Sequence, residues 1–232
     1  MVAPDPLTLA VREHAAWCDL VCRLHRFAPE GDAYLWWSPR RTPDLCPDAA
    51  TLVSDASVFD VLSRINDSFG ASVSDSFATL DLTGQGWTVL FDATWIARPP
   101  GSGGDEGTAS TFAVVREKFV FAAWCRAWGG PADVLPAGLR RASGVTVLGR
   151  EGDGGFVDGG IVHRTEIGGT AVAGLWNVFG AWADVADAAS RRHPEAWVVS
   201  CVRGAGLDAA LTAGFSAIGP LRVWTRESLD RA

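Results

Sequence analysis

Leu207–Phe215, LDAALTAGF, runs directly into Ser216–Arg226, SAIGPLRVWTR, and this join is the most informative stretch of the chain. Leu207–Ala213 has the alanine and leucine content of a short helix, and Gly214 supplies its stop. Phe215–Thr225 then reads as a β hairpin interrupted at Gly219-Pro220. Working backwards, Ala196–Val202 is an apolar strand. Asp184–His193 is a helix with acids in its first turn, Arg191, Arg192 and His193 in its last, and Pro194 as its stop, which complements the helix dipole. Val145–Arg150, Phe156–His163 and Ala171–Phe179 alternate or run apolar between glycine-rich turns, the pattern of a three-strand meander. Before them stand a short strand, Thr111–Val115, and a helix, Arg116–Trp128, with Phe119, Val120, Ala123, Trp124 and Ala127 at helical spacing. The second half therefore has the order β-α-β-β-β-α-β-α-β-β.

The first half carries the same landmarks in the same order. Ala15-Ala16-Trp17-Cys18 recurs as Ala122-Ala123-Trp124-Cys125, each inside a helical pattern. Gly86-Trp87 followed by Trp95 and Arg98 matches Gly214-Phe215 followed by Trp224 and Arg226. These pairs point to an internal duplication with a long period. Pro99–Thr108 separates the halves and has no apolar group to bury, so 99–110 is expected to be a flexible linker between units 1–98 and 111–232.

Composition bounds the function. The chain has 232 residues, 48% hydrophobic and 20% charged, which is ordinary for a globular protein and enough to fold without disulfide or metal. The net charge is −7. Residues 1–110 hold 7 bases against 15 acids and residues 111–232 hold 13 against 12, so an anionic ligand meets less repulsion in the second half. There is no basic run to suit nucleic acid or an anionic membrane. Arg12, Glu13 and His14 interrupt the first apolar stretch, which argues against a leader or a membrane span. Five cysteines, none in a CxxC pair, read as reduced thiols of a cytoplasmic protein.

The LDAALTAGF helix before a strand, the antiparallel meander and the element order resemble the GNAT N-acyltransferase superfamily. Ser74–Leu82 together with Leu175–Phe179 looks like GNAT-like proteins of actinobacteria. The resemblance covers 111–226, with 1–98 as a degenerate copy. It implies an α+β fold of two GNAT-like lobes, each a mostly antiparallel mixed sheet flanked by helices. It also implies transfer of an acyl group from acetyl-CoA or another acyl-CoA to a small amine or amino-acid-like substrate, with no metal.

On that resemblance the acyl thioester lies along Ala171–Phe179, where splayed strands free backbone N–H groups to polarise its carbonyl. Val178, Phe179, Gly180 and Ala181 are the cofactor-binding positions, at the turn opening the next helix. Asp184 is placed to cap that helix and compete with a phosphate. His163 or Glu166 is the base for the amine, and Asn177 orients the substrate. The position of the family's acidic tyrosine is Ala210, and the single tyrosine of the chain is Tyr34. Two alternatives stand beside transfer: a GNAT-fold protein that binds a ligand or partner without acyl transfer, and decarboxylation of an acyl thioester.

Other constellations have structural readings. His14, Cys18, Cys22 and His25 share one helix face, but His14 and His25 lie about 16 Å apart along it, too far for one ion. A core role or a metal pair remains. Trp36-Trp37 face opposite ways in a strand, as core or as ligand wall. Asp75 and Asp81 share a face by parity, and with Asp92 form either an acid–base set or solvated strand positions.

Overall fold

The computed structural model describes residues 5–102, 111–131 and 133–227. Residues 103–110 of the expected linker lie outside them. In the first half, helix α1 (Pro6–Leu24) is followed by strands β1 (Glu30–Gly31), β2 (Leu35–Trp37) and β3 (Ala49–Thr51). Helix α2 (Val58–Leu62) and strands β4 (Ser72–Asp75) and β5 (Trp87–Arg98) complete it. The second half runs β6 (Ala113–Val114), α3 (Lys118–Trp128), β7 (Val145–Gly152), β8 (Gly155–Ile167), β9 (Thr170–Phe179), α4 (Trp182–Arg192), β10 (Trp197–Val202), α5 (Ala205–Thr212) and β11 (Ser216–Arg226).

All eleven strands join one sheet in the order β1-β2-β3-β4-β11-β5-β10-β9-β8-β7-β6. Without the two-residue β6 the order is a palindrome in which β5 answers β11, β4 answers β10 and β3 answers β9. The pairing senses match as well. β3–β4 and β9–β10 are parallel, and the other pairs are antiparallel. The halves meet through exchanged strands, since β5 lies between β10 and β11, and β11 between β4 and β5.

The hairpin expected over 215–225 does not form. Ser216–Arg226 is one strand, and Gly219-Pro220 is a register irregularity within it. Pro220 falls where β11 is paired to β5 alone, because its pairing to β4 begins at Arg222, and so the missing donor is tolerated.

The sheet is covered on both faces. Period-2 alternation sends Trp95, Val172, Trp176 and Val199 to the side of α1 and α3, and Ile96, Ala173, Leu175 and Val198 to the side of α4 and α5. Helix α1 starts where Asp5 accepts the Leu7 and Thr8 N–H groups. It then lies across strands of both halves, packing on β5, β8, β9 and β10. Helix α3 ends at Gly129 in the left-handed conformation that glycine adopts readily.

Candidate active site

Beyond Gly174 and Val199 the strands β9 and β10 lose their mutual hydrogen-bonded register, and β10 continues on β5 alone. At the same level β9 carries an irregularity against β8, with Trp176 opposite Ile161 and Phe179 opposite Gly159. Asn177 is the extra residue, at φ 53°. Its insertion reverses the facing: Trp176 and Phe179 both pack on the α1 side, Val178 on the other.

Over this point, on the α1 face, lies a cavity of about 480 Å³. Its floor comes from the central strands, including Ser74, Phe91, Asn177 and Val223, and its roof from α1 and from the 41–47 segment. Both halves therefore build it. His14, Trp17 and Cys18 of α1 face it, with Trp176 stacked on Trp17 at 6.4 Å. Burial pushes the His14 imidazole down to about 4 against the pull of Glu13, so the ring is neutral at ordinary pH. His14 Nε2 lies 3.5 Å from Cys18 Sγ. Ser74 Oγ and Asn177 Oδ1 are buried without a hydrogen-bond partner.

Of the three expected catalytic residues, Asn177 alone lines this cavity. His163 sits inside β8 rather than at its end and is buried, its Nδ1 2.8 Å from Glu13 Oε1. Trp176 Nε1 donates to the same oxygen at 3.4 Å. Glu13 is fully buried, and desolvation raises its carboxyl above the ordinary range while His163 opposes this. Gly174 makes room for it, because a Cβ there would clash with the Glu13 carboxylate. Glu166 is exposed, three residues along β8 from His163, so the two point to opposite faces.

Val178 and Phe179 end β9, and Gly180 and Ala181 connect it to α4. Asp184 does not cap α4, however. The N-cap residue is Ala181, with no side-chain bond, and Asp184 pairs with Arg150 at 2.8 Å. It is Asp158 that takes the Ala181 N–H, while also binding Arg150 at 2.6 Å. The helix start is thus occupied by a carboxylate from β8 that the linear reading could not see.

The remaining clusters are structural. Cys18 and Cys22 are core residues, and His25 Nε2 is 3.0 Å from the Val134 carbonyl oxygen. Asp75 accepts the Thr79 and Leu80 N–H groups and Asp81 binds Thr83, so they are turn-forming carboxylates and not an acid–base pair. Asp92 pairs with Arg222. Trp36 is core, and Trp37 packs on the opposite cluster under Arg64. The residues that sequence reasoning missed are His14, Ser74 and Glu13. His14 was visible only as a member of a metal-capable face.

Solved structures superpose on this chain over most of its length. A GCN5-related N-acetyltransferase from Kribbella flavida superposes with a TM-score of 0.62 at 17% identity, over 94% of this chain and 96% of that one. The chain has the GNAT fold. A GNAT-family protein from Novosphingobium aromaticivorans gives a TM-score of 0.55 at 12% identity, over 97% of this chain and 100% of that one. A conserved protein of unknown function from Staphylococcus epidermidis gives 0.55 at 8%, over 87% and 95%. The GNAT fold is thus matched across nearly the whole length, both halves included. No family model and no curated protein matches the sequence. Among the described residues no helix is long and apolar enough to cross a membrane.

Proposed function

We propose that the protein is an acyl-CoA-dependent N-acyltransferase acting on a small amine or amino-acid-like acceptor. The observation that carries this is the parting of β9 from β10 at the Asn177 bulge, directly against the central cavity. Past Gly174 no backbone pairing joins β9 to β10, and the Ser200 hydroxyl donates to the Leu175 carbonyl across the gap at 2.7 Å. A backbone N–H of the unpaired β9 segment suits the polarisation of a carbonyl laid along it. The cavity on the α1 side then takes the acceptor. The mirrored strand order supports an internal duplication, with the second half binding the acyl donor and the first half completing the acceptor pocket.

Acyl-CoA supplies an activated thioester, so no protein nucleophile is required. Asn177 remains the orienting residue of this reading. Its Oδ1 accepts hydrogen bonds only, which suits an amine N–H. Neither His163 nor Glu166 lines the cavity, and His14, held neutral down to about pH 4, is too weak a base to keep the amine's proton. Its ring can accept a hydrogen bond from the amine while the proton passes to water. His163 acts through Glu13, which holds Trp176 in the wall.

The two ends of the donor are served differently. The thioester end fits the parted strands. At the α4 turn, Asp158 already occupies the Ala181 N–H, and Arg150, the cation beside it, is paired with both Asp158 and Asp184. A pyrophosphate near Val178–Ala181 fits there by replacing the exposed Asp184 on Arg150.

Thiol release from acetyl-CoA in the presence of an amine panel tests the reading. Turnover with at least one amine, abolished or reduced about 10²-fold or more in Asn177→Ala, is the expected outcome. No turnover with any amine, despite measurable acetyl-CoA binding, would favour the ligand-binding alternative.

A further inference from the structure

Apart from its cysteines, the titratable side chains lining the central cavity are His14, Arg41 and Asp44. Arg41 is committed elsewhere. Its guanidinium binds the Asp48 carboxylate and the Gly70 carbonyl. Asp48 is fully buried, so withdrawing its partner would strand a charge in the interior. His14 is neutral. Asp44, exposed, makes no salt bridge among the described residues, although its charge acts on Arg41. Among the described residues the cavity thus has no cation without a carboxylate partner, and one carboxylate outside any salt bridge.

The remaining surface is largely apolar. Trp17, Trp176, Phe91, Leu90, Leu221 and Val223 surround the space. Its volume of about 480 Å³ is within the usual range of small-molecule sites, roughly 300–1,000 Å³. Ser74 Oγ and Asn177 Oδ1 are the partnerless polar atoms contributed by its strands. An amide oxygen can only accept, and it is best matched by a ligand that donates.

We propose that the ligand of this cavity is a primary amine carried on a compact apolar body that has no carboxylate of its own. The proposal rests on the acyl-transfer reading for the amine's role as acceptor, and it sets aside the amino-acid-like branch. An amino acid would bring a carboxylate into a pocket without a free cation, and desolvating an unpaired carboxylate costs several kcal/mol. The amine of the preferred class meets Asp44 and the aromatic faces, where a cation is attracted to the ring quadrupole.

Tryptamine and tryptophan form a matched pair that differs only in the carboxylate. Calorimetry on the full chain, with no acyl donor present, compares their affinities directly. Tryptamine should bind at least tenfold more tightly than tryptophan. Asp44→Asn should weaken tryptamine several-fold. Leu90→Arg, at an exposed position where folding is safe, should narrow or invert the preference. Equal or tighter binding of tryptophan, no tryptamine heat at millimolar ligand, or tryptamine binding indifferent to both substitutions would each overturn the proposal. Since no donor is present, the result is independent of chemistry. Selective tryptamine binding with added acetyl-CoA left intact supports the ligand class and overturns the transfer reading instead.

Discussion

His163 and Glu13, 150 residues apart in the sequence, meet at 2.8 Å inside the core and join β8 to α1. This pair links the two halves and braces Trp176 from behind.

Removing His163 leaves Glu13 buried with little compensation. His163→Ala should therefore cost about 1–3 kcal/mol of unfolding free energy, the usual penalty for leaving a buried polar group without its hydrogen-bond partner. Glu166→Ala, on the exposed face, should stay within about 0.5 kcal/mol of the parent and leave turnover unchanged. Urea unfolding of both variants checks this, and a mild His163→Ala would refute the bracing role.

His14 makes stability depend on pH in a defined window. An unfolded imidazole takes up its proton near 6.5, whereas native His14 is held to about 4 by desolvation. The native state thus loses stability as pH falls from 6.5 towards 4, by about 1.4 kcal/mol per pH unit and roughly 3 kcal/mol in all. Above pH 6.5 the effect is absent. Glu13, raised by burial, works in the opposite sense but is common to parent and variant. The unfolding free energy of His14→Asn should accordingly fall less steeply than the parent's over pH 6.5 to 4, and parallel curves would sink the assignment.

Asp184 holds Arg150 at the start of α4 without capping the helix. Asp184→Asn should leave the helix intact and tighten acetyl-CoA, through removal of a charge worth about 0.3–1 kcal/mol at a helix N-terminus. Calorimetry would read this as up to a fivefold gain. Asp158→Asn should behave differently, because the amide oxygen can still accept the Ala181 N–H but the buried charge that pairs with Arg150 is lost, and its main signature should be a lower Tm.

Cutting the chain within 103–110 should not release two separate domains. Arg98 binds Asp187 at 2.7 Å and the Ala213 carbonyl at 3.2 Å, and β5 is hydrogen-bonded on both edges to strands of the second half. A protein nicked there should elute as one species in size-exclusion chromatography and separate only in denaturant. Free fragments under native conditions would contradict the exchange of strands.

Much of the second half was legible because its elements are long and strongly patterned. The meander, α3, α4 and the strand Trp197–Val202 fall within a few residues of their expected bounds. The errors came from partners distant in sequence. Gly219-Pro220 has local turn chemistry, yet the strand continues because β5 and β4 offer edges on either side. Asp184 was the nearest carboxylate to the helix start in sequence, while Asp158, 23 residues from Ala181, was nearest in space. His163 looked available as a base because nothing local predicts a glutamate arriving from α1. Asn177 stood out as an amide among apolar strand residues, which must find a loop or a ligand to bond, and the structure leaves its Oδ1 buried without a partner.

The interleaved order has a consequence for biosynthesis. Strand β5 ends at Arg98, but its neighbours β10 and β11 end at Val202 and Arg226. During translation this twelve-residue strand, with Trp87, Trp95 and Ile96, waits for partners not yet made. At 5–20 residues per second that is an interval of roughly 5–25 s before β11 is complete. The nascent first half must spend it with two open edges and an apolar strand in search of a mate, a state prone to sticking to its like. The eleven residues of β11 act as the latch that closes the fold.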